Sequence, residues 1–293
     1  VVRAISRRAG REGSRALSAG AGDLLDVVRK VGALPPMPRA AARALELLDD
    51  PDAHAERLGK IIETDPSLAA AVLRLVNSAF FALPQPVASI PQAVVMIGFA
   101  RLRTLILATL TAGLRDLVPP SAADARDRVW EHSISSALAA RSLAVEFGFG
   151  WGEEAFAAGL LHDCGRLVLL AQRTQAYVGV FERAGRSLPS CVEERAAFGV
   201  DHAAVGAALL TLWHQAPALV ESAGLHHAAE FPASDAAPYI AIVVVSDWVA
   251  RSVTAPIPTL AAERLGVPLD LLDRLALELP PRLAASRAAL LSL

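Results

Sequence analysis

This sequence predicts an all-α fold in two helical lobes, on three observations. Apolar residues recur at helical rather than alternating spacing along almost the whole chain. Helix-start residues and prolines punctuate those runs at short intervals. β-Branched residues cluster only in "YIAIVVVS" (239–246), whose length and helical neighbours favour a buried helix over a strand.

In chain order, "DLLDVVRKV" takes Asp23 as its N-cap and is stopped by "LPPMP" (34–38), because proline cannot continue a helix. "AAARALELLDD" follows and ends before Pro51. "DAHAERLGKIIET" takes Asp52 as its cap and places Ala55, Leu58, Ile61 and Ile62 on one face. Asp65 and Pro66 supply the cap and first position of "DPSLAAAVLRLVN". Ser89 and Gln92 form a capping box for "SIPQAVVMIG", which ends at Gly98. Arg101 to Leu117 is a further helix, closed by Pro119 and Pro120. Beyond it, helices are expected over 127–147, 152–170, 190–198, 201–213, 217–227 and 236–251. "TAPIPT" breaks the pattern, and the tail supplies two or three more short helices.

This divides the chain into a basic segment (1–22), an N-terminal helical lobe (23–118), a connection (119–127), a second helical lobe (128–252) and C-terminal helices (253–293) packing on it. Residues 1–22 carry Arg3, Arg7, Arg8, Arg11 and Arg15 against Glu12, and they read as a disordered lead-in. An arm touching nucleic acid or anionic lipid is the alternative there. The first residue is Val, which fits a truncated or alternative start.

Composition narrows the function. At 293 residues and 54% hydrophobic, the chain can bury a large core. A net charge of −2 gives no global field to recruit nucleic acid. Two cysteines, Cys164 and Cys191, are too few for a disulfide framework and fit a reducing compartment. The apolar runs "TLILATLTAGL" (104–114) and "YIAIVVVS" fall short of a membrane span of about 20 residues. The expectation is a cytoplasmic protein without membrane or nucleic-acid partners.

"GLLHDCGRLVLL" (159–170) places His162 and Asp163 side by side among leucines, an expensive pair to bury without compensation. Further histidines stand in "WEHS", "VDHAAVG" and "GLHH", and an aspartate stands in "VVVSDWVA". The series is His132, His162, Asp163, His202, His226, His227 and Asp247. Imidazole and carboxylate together suit iron, manganese, zinc or nickel, and a shared carboxylate bridges two ions where two bind. Singly, each has a plainer role. A lone buried histidine is usually hydrogen-bonded core, His226–His227 could cap a helix C-terminus, and Asp247 could serve as a cap or ion-pair partner.

The segment from "LPPMPRAAARAL" through "DPSLAAAVLRLVNSAFF" and "SIPQAVVMIGFARLR" to the later "LLHDCGRLVL" resembles an HDOD domain over roughly residues 24–280. The resemblance implies an all-helical bacterial signalling module with an HD-like C-terminal lobe, similar to the HD phosphohydrolase superfamily and its HD-GYP phosphodiesterases. It carries over onto His162–Asp163 as the HD pair, His132 as the upstream ligand, His202, His226–His227 and Asp247. Arg166 stands where those phosphodiesterases have lysine, and "AAEFPASD" (228–235) replaces a glycine-rich GYP-type segment.

Two functions are therefore expected. One is a regulatory module with a metal or nucleotide as its ligand and signalling proteins as partners. The other is a metal-dependent phosphohydrolase, in which Asp163 bridges two ions and Arg166 steadies a phosphate. Elsewhere, Asn77 and Ser78 are read as satisfying backbone groups, and Arg101 and Arg103 as a wet face or an anchor between lobes. Trp130, Trp213 and Trp248 are core or a shield around metal. His54 and His214 are surface or cap residues, and Cys164 is a small core filler.

Overall fold

The computed structural model describes residues 26–81, 83–251 and 256–291. The basic segment 1–22 and the cap at Asp23 lie outside the described residues. Those described carry no strand, and residues 26–31 are the end of the first expected helix.

The first half then holds α1 (Arg39–Leu48), α2 (Ala55–Ile62), α3 (Pro66–Val76) and α4 (Ile90–Asp116). Asp65 caps α3 as its sequence predicts, accepting from the amides of Ser67 at 3.0 Å and Leu68 at 3.1 Å. Asp52 does not cap α2. Its own N–H is donated to Asp50 Oδ1, and the N–H of Ala53 is donated to Asp50 O, both at 3.0 Å. These bonds hold Asp52 inside a turn, so the cap position falls to His54.

Asn77 ends α3 and clamps the next loop, donating to Val87 O at 2.8 Å and accepting from Val87 N at 2.7 Å. Gly98 sits at φ 81°, ψ 168°, so α4 is two helical segments meeting at a break, where the sequence expects one helix to end. By length and composition α4 could cross a membrane, with a mean hydropathy of 1.8 over its most apolar window, yet 56% of that window is buried in the protein. It is the central core helix of this half.

A 3₁₀ turn (Pro120–Ala122) leads into α5 (Ala123–Glu146), which starts at Ala123 rather than at 127. Then come α6 (Gly152–Leu161), α7 (Cys164–Gln172), α8 (Thr174–Arg183), α9 (Cys191–Phe198), α10 (His202–Leu212), α11 (Pro217–Leu225) and α12 (Ala237–Ala250). "YIAIVVVS" is helical, as expected, and lies inside α12. Helix α8 is additional to the expected set, and it buries Tyr177, Val180 and Phe181 at helical spacing.

The helix expected over 152–170 is instead two, with His162 and Asp163 at the joint. The joint lies beside a close backbone packing: a Cβ on Gly165 would lie 2.1 Å from His202 O and 2.6 Å from Gly206 N. Only glycine lets α7 approach α10 this closely.

The tail forms α13 (Thr259–Leu265) and one long helix, α14 (Leu269–Leu291), where two or three short ones are expected. Pro280 and Pro281 lie inside α14, while Leu272, Leu275, Ala276 and Leu279 form one buried stripe ahead of them. Between the halves, Arg101 Nε reaches Glu153 Oε1 at 3.3 Å, so Arg101 is an anchor, while Arg103 pairs with Asp49 within the first half.

Candidate metal centre

Helices from across the second half bring the histidine and aspartate series together. His132 comes from the middle of α5, and His162 and Asp163 from the α6–α7 joint. His202 comes from the start of α10, His226 and His227 from the end of α11, and Asp247 from α12. Asp163 is central and fully buried. Its Oδ1 lies 3.1 Å from His202 Nε2 and 3.6 Å from His226 Nε2, and its Oδ2 lies 3.6 Å from the Nε2 atoms of both His132 and His162. Asp247 Oδ1 lies 2.8 Å from His132 Nε2 and 3.8 Å from His162 Nε2.

Three of the histidines are turned the same way by their surroundings. His162 Nδ1 meets Gly159 O at 2.7 Å, His226 Nδ1 meets Ala223 O at 2.9 Å, and His202 Nδ1 meets Glu194 Oε2 at 2.5 Å. A carbonyl or carboxylate at Nδ1 selects the Nδ1–H tautomer and leaves the Nε2 lone pair facing inward. Burial pushes His162 down to about 3 and lowers His202 as well, Arg166 adding to the second shift, so both rings are neutral at physiological pH.

Asp163 is an anion. Burial opposes its ionisation, and Arg166, His162 and His202 together outweigh burial and hold it well below the carboxylate range. Burial opposes ionisation of Asp247 too, and His132, Arg251 and His162 overcome it.

The donor set fits a metal ion. His132 Nε2, His162 Nε2 and Asp163 Oδ1 are buried and lack a hydrogen-bond partner of acceptable geometry. Orphaned buried polar atoms are rare, and three converging on one space call for a ligand. Two adjoining triads, His132–His162–Asp247 and His162–Asp163–His226, each keep their ligand atoms within 4.8 Å of one another. Nitrogen and oxygen donors sharing a zinc-like ion at about 2.0–2.2 Å stand roughly 3–4 Å apart, which is the spacing seen here. His227 is outside this inner set. It is exposed, its ring centre lies 4.1 Å from that of His226, and it groups with Cys191 and His202 at the edge of the centre.

Arg166 is not where a substrate could meet it. It is 1% exposed, and its guanidinium is enclosed by protein acceptors. Nε donates to Asp163 Oδ2 at 2.8 Å, and Nη1 donates to Pro189 O and Glu194 Oε1, both at 2.7 Å. Nη2 stands 3.3 Å from His202 Nε2. Its expected role of steadying a phosphate is replaced by charge balance inside the centre.

Glu194 is the residue that sequence reasoning misses. It is fully buried, it orients His202, and it takes the other side of Arg166. Burial raises it to about 7 against the pull of Arg166. The available signal is the capping box at the start of α9, where Ser190 pairs with Glu193 and leaves the adjacent glutamate free to turn inward. The tryptophans do not shield the centre as a group. Trp130 packs under Arg115 at 5.0 Å, Trp213 donates to Pro35 O at 2.9 Å, and Trp248 belongs to the apolar core that α12 shares with α14.

Residues 34–229 match the model of the HDOD domain family. The chain belongs to the HDOD family. An uncharacterized protein of Treponema pallidum (strain Nichols) is 25% identical over 234 residues, 79% of this chain and 45% of that protein, so this HDOD chain spans under half of that curated relative. A protein of Marinobacter aquaeolei VT8, described as a candidate signal transduction protein, superposes with a TM-score of 0.73 at 22% identity, covering 94% of this chain and 66% of that one. A candidate phosphohydrolase of Shewanella amazonensis SB2B superposes with a TM-score of 0.68 at 24% identity, covering 92% and 97%. At these identities the structural likeness shows the shared HDOD fold.

Proposed function

We propose that this chain is a bacterial signal-transduction module whose HD-type centre holds a divalent transition metal as a structural or sensory ligand. The observation that carries this reading is the commitment of Arg166. The buried cation of the centre is spent on Asp163 and Glu194, and none of it faces a substrate. His132, His162, Asp163, His202, His226 and Asp247 would hold the ion, with imidazole and carboxylate donors suited to iron, manganese, zinc or nickel. When bound, the metal supplies fixed positive charge and Lewis acidity. The chain's own part is to present inward-facing Nε2 atoms, keep Asp163 ionised and hold His202 in place through Glu194. The name of the Marinobacter relative agrees with this reading.

The second reading, a metal-dependent phosphohydrolase, draws on one different observation. His132 lines a cavity of about 330 Å³, so one residue of the centre borders open space. The name of the Shewanella relative points the same way. Elemental analysis of the purified chain, followed by a phosphodiester and phosphomonoester hydrolysis screen, separates the two. The signalling reading expects bound metal and no turnover. Sustained hydrolysis that disappears in Asp163→Ala would overturn it in favour of the enzyme.

A further inference from the structure

The cavity at His132 is lined by three arginines that the metal centre does not use in its inner set. Arg128, Glu131, His132 and Ser135 fall at i, i+3, i+4 and i+7 on α5 and form one wall. Arg251, directly after α12, and Arg287, on α14, close the other sides. Arg251 and Arg287 lie outside residues 34–229, the part matched by the family.

The arginines outnumber their carboxylates. Arg287 Nη2 pairs with Glu131 Oε1 at 3.0 Å, and Arg128 reaches the other oxygen of Glu131 only at 3.9 Å, beyond hydrogen-bond distance. Arg251 Nε pairs with Asp247 Oδ1 at 2.8 Å, the oxygen that also faces His132 and His162. An ion bound by His132, His162 and Asp247 would share that carboxylate with Arg251. At the floor, His132 Nε2 is buried without a hydrogen bond of acceptable geometry.

We propose that this cavity binds a small phosphate ester, with the phosphate held between Arg128, Arg251 and Arg287 above His132. Guanidinium forks match phosphate oxygens in pairs, and three around one opening suit a dianion better than a carboxylate. A volume of about 330 Å³ is at the small end of ligand sites, which fits a nucleoside monophosphate and excludes a cyclic dinucleotide lying wholly inside. The proposal deepens the signalling reading, because it gives the module a ligand to sense, and it rests on that reading only for the ligand's role.

The test is calorimetric titration of the whole chain with inorganic phosphate, adenosine 5′-monophosphate, adenosine and sulfate, in zinc-loaded and EDTA-treated forms. Phosphate and the monophosphate should bind, and adenosine should not. Arg128→Ala and Arg287→Ala should each weaken binding about tenfold. Metal content and melting temperature should stay unchanged, since the two side chains are 59% and 47% exposed. Arg287→Lys, which keeps the charge and loses the fork, should fall between parent and Arg287→Ala. Sulfate, also a tetrahedral dianion, should bind as phosphate does. Equal binding of adenosine, no binding of phosphate, or unchanged affinity in the Arg128→Ala/Arg287→Ala pair would each overturn the proposal. Phosphate binding in a chain that takes no metal would sink the metal reading and leave the pocket standing. Metal without phosphate binding would do the reverse.

Discussion

The two faces of α5 use one helix in opposite ways. Trp130 and Ile134 look toward an apolar cavity of about 510 Å³, shared with Leu105, Phe156 and Trp213. Arg128, Glu131, His132 and Ser135 look toward the polar cavity and the centre behind it. On the first face, stability comes from area removed from water and is insensitive to which apolar residue supplies it. On the second, each buried charge is tolerable only because another group answers it, so loss of one member leaves its neighbours with the full cost of desolvation.

The largest test of that contrast is Arg166→Ala. It strands Asp163 and Glu194 in the interior and should destabilise the chain by about 3–5 kcal/mol in chemical denaturation. Parent-like stability would show that Arg166 does not balance them. Trp130→Ala, on the apolar face, should cost about 3 kcal/mol and leave the metal content measured by elemental analysis unchanged. Glu194→Gln should weaken metal affinity by about 10–100-fold in a competition titration, because His202 loses the carboxylate that orients it.

Acidification sharpens the contrast further. Burial lowers His162 to about 3 from an ordinary 6.5, and it lowers His202 as well. The folded chain refuses protons that the unfolded chain accepts. The stability these rings contribute is therefore complete above pH 6.5 and is lost as pH falls below it toward 3. Glu194, raised to about 7 from 4.5, acts in the opposite sense: its contribution is full below 4.5 and is lost as pH rises through 7. Two histidines outweigh one glutamate, so the metal-free chain should melt about 3 °C lower at pH 5 than at pH 8. A flat profile would mean that the histidines do not outweigh Glu194. The smallest effect belongs to the surface: Arg103→Ala, which breaks the Asp49 pair, should change stability by less than about 1 kcal/mol.

Local chemistry makes much of this legible. Asp65–Pro66 supplies the cap and first position of α3, and Asn77 between apolar runs announces a clamp on nearby backbone. The ligand series stands out because ionisable residues have little other reason to interrupt such oily helices. What the chain order hides is distance in three dimensions. The break at His162–Asp163 lies beside a contact between Gly165 and His202, which are remote in sequence, and no local signal marks that contact. Glu194 is set apart only by the capping box that occupies its neighbour Glu193, and its inward turn emerges once α9 folds against α10. Arg128, Arg251 and Arg287 come from three separate helices or their ends, so their convergence could not be read from any one stretch.

The contact at Gly165 bears on any ion the centre would hold. Because backbone meets backbone there, the main chains carrying Asp163 and His202 keep one separation, and only rotation of the two side chains is left to adjust the gap between their donor atoms. The main chain acts as the frame of a caliper whose setting depends on the absence of one methyl group. A larger residue at position 165 would shift that frame, and with it the ionic radius that a metal held there would fit, without replacing a single donor.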